Sequence, residues 1–173
     1  MLLICGFIQL PIQKYLRDPK LALDSQGLLT KLKFSFGITS NRHKKYDNLV
    51  LFKYDQVESP MSEPLVQDCR GIILDNWEVV AMAFRKFFNF GESLAGKIDW
   101  STASVLEKLD GSLCTLYAYD GSWQVSTTGQ ADAGGRVNKA GIITFADYFW
   151  ETFHKSGMVL PPAHASFSSS RAP

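Results

Sequence analysis

Apolar residues along this chain change their spacing several times, and each change marks an element. Ile12 to Leu16 makes one helical turn, closed at Asp18-Pro19 because the residue before proline avoids helical backbone. Leu21 to Lys31 predicts a short amphipathic helix that Gly27 weakens. Lys33 to Ile38 alternates, with Phe34, Phe36 and Ile38 on one face, and predicts a strand. Leu49 to Tyr54 predicts another. Glu58 to Pro64 carries Ser59-Pro60 and Glu63-Pro64 and reads as an extended loop. Cys69 to Asp75 is a β-branched run opened by Arg70-Gly71, which predicts a buried strand. Asp75-Asn76 turns the chain, and Glu78 to Phe84 returns beside it. Ala103 to Leu106 predicts a short strand ending at Lys108. Leu113 to Tyr119 alternates, Asp120-Gly121 is a two-residue hairpin turn, and Trp123 to Thr128 returns. Gly129 to Gly141 is a loop. Ile142 to Lys155 is the strongest helix: Ile142, Phe145, Phe149 and Phe153 recur at helical spacing as a core stripe, and Gly157 closes it. Past Pro161-Pro162 the pattern dissolves, and Ala163 to Pro173 is expected to be disordered.

Composition narrows the class. The 173 residues suffice for one domain with a real core. Eighteen basic against 17 acidic residues leave a net charge of +1, which announces no nucleic-acid partner and leaves room for a local basic patch. Arg42 to Lys45 is such a run, read as a solvated loop. Cys5, Cys69 and Cys114 are odd in number and far apart, so no disulfide framework is expected and a reducing, cytoplasmic setting fits. His43, His154 and His164 have no metal-ligand spacing, and no residue is assigned as a metal ligand. Met1 to Leu10 is apolar but lacks a basic flank and ends early at Gln9 and Pro11. It is expected to be a strand or a start-site extension, with neither a secretory signal nor a membrane span.

Two stretches carry candidate chemistry. In Lys108-Leu109-Asp110-Gly111-Ser112 a lysine stands at the expected end of a strand, before a glycine turn. A deprotonated lysine amine is a nucleophile, and a glycine beside it lets a phosphate approach the backbone. The bland reading is a hairpin corner with a surface lysine. In Arg85-Lys86-Phe87-Phe88-Asn89-Phe90, two cations abut an aromatic cluster. Cations receive phosphate and an aromatic face receives a flat base. The bland reading is a core aromatic pair beside surface cations. Gly129 to Gly141 is no P-loop, since no Gly-Lys-Ser/Thr follows the glycines.

Arg70-Gly71, then Lys86-Phe87-Phe88-Asn89, then Lys108-x-Asp110-Gly111-Ser112, in that order, resemble the adenylyltransferase domain of the bacteriophage T4 RNA ligase 1 family. The last motif is shared with DNA ligases and capping enzymes, whereas the upstream pair is particular to the RNA ligase branch. The resemblance runs from about Tyr46 to about Pro162. It implies that Lys108 attacks the α-phosphate of ATP, with Mg²⁺, and forms lysyl-AMP. It implies that Arg70 and Lys86 contact the triphosphate, that Phe88 helps form the nucleotide pocket, and that Asp110 and Gly111 shape the nucleophile turn. AMP then passes to an RNA 5′-phosphate, and a 3′-hydroxyl attacks to seal the strand. Thr128-Gly129 falls where the family often has a lysine or a small polar residue before glycine, so one phosphate contact is expected to be missing.

The family's downstream motifs, a glutamate strand, a Glu-Gly strand and a Lys-x-Lys strand, have no match. Glu151 is the last carboxylate and Lys155 the last lysine. The expectation is a front part of an RNA repair ligase, truncated and impaired, that joins little or no RNA by itself. The fold expected is α+β, a nucleotidyltransferase domain of antiparallel sheets with flanking helices, incomplete at its C-terminus. Residues 1–45 form an N-terminal segment, 46–160 the partial adenylyltransferase domain and 161–173 a tail. Competing readings are a nucleotide- or RNA-binding remnant without catalysis, a DNA ligase or capping-type enzyme, and an unrelated β-rich interaction domain.

Overall fold

The computed structural model describes residues 9–137 and 142–163, so the expectations for Met1 to Ile8 and for the tail beyond Ala163 lie outside the described residues. The fold is α+β, with antiparallel sheets and flanking helices. In chain order the elements are α1 (Pro11–Leu16), a 3₁₀ turn (Pro19–Leu21), α2 (Ser25–Phe36), β1 (Ile38–Arg42), β2 (Leu49–Tyr54), α3 (Pro64–Asp68), β3 (Arg70–Asp75), β4 (Glu78–Ala81), β5 (Cys114–Tyr119), β6 (Ser122–Thr127) and α4 (Phe145–Lys155). Strands β1-β2-β3-β4 make one antiparallel sheet in that order, and β5-β6 make a separate hairpin.

β2 and β3 read as nearly unbroken apolar runs because both faces of the sheet are covered. Val50, Phe52, Ile72 and Leu74 pack against Ile12, Leu16, Leu28, Leu32 and Val66 of the three N-terminal helices. Leu49, Leu51 and Ile73 face the other way, onto Tyr117 of β5 and onto Ala131. Phe52 is fully buried, which contributes about 1.5–3 kcal/mol by apolar transfer. The hairpin is pinned to the sheet at Tyr119, whose hydroxyl donates to Asp75 Oδ2 at 2.9 Å and accepts from Asn48 Nδ2 at 2.5 Å. The Tyr117 hydroxyl donates to the Ala131 carbonyl at 2.8 Å, and burial raises its pKa.

Several expected elements change. Lys33 to Phe36 is not strand but the last turn of α2. Asp24 caps that helix by accepting from the Gly27 N–H at 2.7 Å, and Gly37 ends it at φ +64°. Leu28, Leu29 and Leu32 carry its buried face, and Phe36 meets Tyr15 edge to face, while Phe34 is 83% exposed. The strand after Asp75 stops at Ala81 rather than Phe84. Ala103 to Leu106 forms no strand. It pairs with no neighbour among the described residues, and an unpaired run has no ladder to hold it extended; Val105 is 92% exposed. Ile142 lies outside α4, which starts at a Thr144–Asp147 capping box. Of the expected stripe Phe153 is buried, and Gly157 does stand past the helix end at φ +73°. His43 is not in a solvated loop: it is buried, and its Nδ1 accepts from the Lys45 and Tyr46 N–H groups.

Candidate functional site

One irregularity in the sheet aligns the cations. β2 and β3 pair Phe52 with Ile72 and then Lys53 with Arg70, so Gly71 is an extra residue in β3, a β-bulge. Gly71 sits at φ +85°, backbone that glycine adopts freely. A Cβ there would lie 3.0 Å from the Thr128 Cα, so the absent side chain also lets β3 approach the end of β6. The extra residue sets Arg70 directly across from Lys53, on the sheet face that carries Leu49 and Leu51 towards the hairpin.

Lys86 joins them from the irregular segment after β4. Its N–H donates to the Gln67 carbonyl at 2.7 Å. Next to it, Arg85 Nε lies 2.7 Å from Oδ1 of the fully buried Asp68, whose Oδ2 accepts from the Ile12 N–H at 3.2 Å. Burial raises the Asp68 pKa, and the Ile12 N–H and the Arg85 guanidinium oppose that shift. The segment is therefore anchored to α3 at the Arg85 side chain and the Lys86 backbone.

Lys53, Arg70 and Lys86 line a cleft of about 270 Å³ with Phe87, Asn89 and Thr128; Tyr54 and Gln56 complete the wall. The Arg70 guanidinium stacks 4.4 Å over the Phe87 ring, and its Nη1 is buried with no hydrogen-bond partner among the described residues. The Lys86 ammonium lies 4.9 Å over Phe88. Among the described residues no carboxylate lines the cleft. A larger hollow of about 520 Å³ beside α1 holds no such convergence, because its Arg17 is paired with Glu78 at 2.6 Å.

Of the residues singled out in the sequence, Arg70 and Lys86 come together here. Phe88 supports Lys86 from outside the cleft, and its neighbour Phe87 supplies the wall. Lys108, Asp110 and Gly111 are exposed in an irregular stretch and do not line the cleft. Asp110 Oδ1 accepts from the Gly111 N–H at 2.9 Å, and Gly111 is at φ +136°. Lys53 escaped the sequence reading; its signal was a lone charge inside the apolar run Leu49 to Tyr54. Among the described residues no group of three His, Cys, Asp or Glu side chains could hold a metal ion, and no helix is long and apolar enough to cross a membrane. The cationic lining of the cleft suits an anion.

An α+β fold of antiparallel sheets with flanking helices, with a cationic cleft at a sheet bulge, is consistent with a nucleotidyltransferase-like domain. No protein-family profile matches the chain. It is 32% identical to an RNA ligase of Rhodothermus phage RM378, over 65% of this chain and 32% of that protein. It is 34% identical to a protein of Autographa californica nuclear polyhedrosis virus named "Putative bifunctional polynucleotide kinase/RNA ligase", over 63% of this chain and 17% of that protein. The chain is a distant relative of phage and viral RNA ligases, and its match spans a third or less of their length.

Proposed function

We propose that this chain carries the nucleotide-binding part of an ATP-dependent RNA ligase and that Lys108 is its nucleophile. The observation that carries the reading is the cleft in which Arg70 and Lys86 converge with no carboxylate in its lining among the described residues. The relatives named as RNA ligases and the Lys108-x-Asp110-Gly111-Ser112 motif support it from the sequence side.

On this reading the ATP β- and γ-phosphates lie against Arg70 and Lys86. Fixed positive charge there stabilises the negative charge that grows on pyrophosphate as it leaves. The deprotonated Lys108 amine attacks the α-phosphorus. An N–P bond forms, the bridging P–O bond breaks, and the second amine proton passes to water. The 5′-phosphate of an RNA then displaces Lys108 to take the AMP, and a 3′-hydroxyl attacks that activated phosphate and expels AMP.

Covalent labelling tests this. Incubated with Mg²⁺ and α-phosphate-labelled ATP, the wild-type chain is expected to gain AMP by mass, and Lys108→Ala is expected to gain none. Equal label on both proteins would remove Lys108 from its role. A second reading is favoured by the exposure of Lys108 outside the cleft: a nucleotide- or RNA-binding module without catalysis. It predicts ATP binding with no covalent label on either protein.

A further inference from the structure

We propose that Lys53 is a third phosphate ligand of the cleft, reaching the bound polyphosphate from β2. The inference rests on the nucleotide reading of the cleft given above and adds a residue to it.

The bulge at Gly71 places Lys53 and Arg70 directly opposite each other on neighbouring antiparallel strands. Like charges in that position repel and destabilise a sheet. Without the extra residue, Lys53 would face Gly71 and the repulsion would be absent. The two charges are not neutralised locally: among the described residues neither Lys53 nor Arg70 makes an ion pair, and no carboxylate lines the cleft. A multiply charged anion lying between them converts the repulsion into two attractions.

The lysine also points to the right corner. A Cβ built on Gly129 would lie 3.7 Å from Lys53 Nζ and 3.9 Å from its Cδ, so the ammonium stands over the Thr128-Gly129 corner. Thr128 is the position at which the resemblance leaves a phosphate contact unfilled. Lys53 therefore brings a cation from the adjacent strand to the place where the hairpin strand offers only a hydroxyl. Its exposed side chain covers no core, so its replacement leaves the fold intact.

The test is calorimetric binding of ATP and of inorganic tripolyphosphate to the wild-type chain, Lys53→Ala, Lys53→Arg and Arg70→Ala, with thermal melts of each. Tripolyphosphate isolates the phosphate contacts from any base pocket. Lys53→Ala is expected to bind both probes about tenfold more weakly, the size of one charge-assisted contact at a partly exposed site. Lys53→Arg is expected to keep most of the affinity, and Lys53→Ala is expected to melt no lower than the wild type, since it removes the repulsion across from Arg70. Unchanged affinity in Lys53→Ala alongside a clear loss in Arg70→Ala would overturn the role of Lys53 and leave the cleft reading standing. No binding of either probe by folded wild-type protein would overturn both.

Discussion

His43 shows how a single side chain can tie stability to pH. Its Nδ1 keeps a lone pair for two backbone N–H donors, and its Nε2 is buried without a partner among the described residues. Burial lowers its pKa most, with Lys45 adding to the effect while Asp132 and Gln124 oppose it. A folded-state pKa below the unfolded one gives stability that is present above the unfolded value, about 6.5, and is lost as pH falls through the folded value. The melting temperature is therefore expected to drop as the buffer goes from pH 7.5 towards 5, and His43→Gln is expected to flatten that part of the curve. A wild-type slope unchanged by His43→Gln would refute the assignment. Nothing in the sequence around Arg42 to Lys45 showed this burial. Which residue of a polar run turns inward depends on what the fold places over it, here the Tyr46 ring, 5.0 Å from the imidazole.

At the scale of elements the bulge in β3 matters most. Gly71→Ala forces a left-handed backbone on a side chain and drives its Cβ against the Thr128 backbone. The cost expected is about 1–3 kcal/mol, read as a lower urea midpoint. Because the bulge aligns Lys53 with Arg70, ATP binding is expected to weaken in the same variant. A variant with wild-type stability and wild-type binding would show that the bulge does not set the site. Strands β2, β3, β5 and β6 were legible because runs of Val, Ile, Leu and Tyr bounded by Asn76 and by Asp120-Gly121 carry their own turn chemistry. The bulge was not, since Arg70-Gly71 reads equally as the first residues of a regular strand. Lys33 to Ile38 misled because Phe34, Phe36 and Ile38 alternate. Only the Asp24 cap and the left-handed Gly37 reveal a helix running to its end.

For the molecule as a whole, the cleft is lined by the end of β2, the start of β3, the segment after β4 and Thr128 just past β6. The front of the candidate site, Arg70 and Lys86, was readable from motif order, because each motif is short and contiguous. Lys53 was not, because its neighbours in space, Arg70 and Gly129, are distant in the chain. Lys108 was readable as a motif, yet its stretch pairs with no strand among the described residues and stays exposed. In the proposed function the cations of this cleft hold the phosphates of a nucleotide. The most direct test of that claim is the ATP dissociation constant of the wild-type chain beside Arg70→Ala/Lys86→Ala, at low and raised salt. Loss of two charge-assisted contacts predicts binding at least about 100-fold weaker in the double variant, and a wild-type affinity that falls as salt rises. Equal affinity in both proteins, insensitive to salt, would contradict the account.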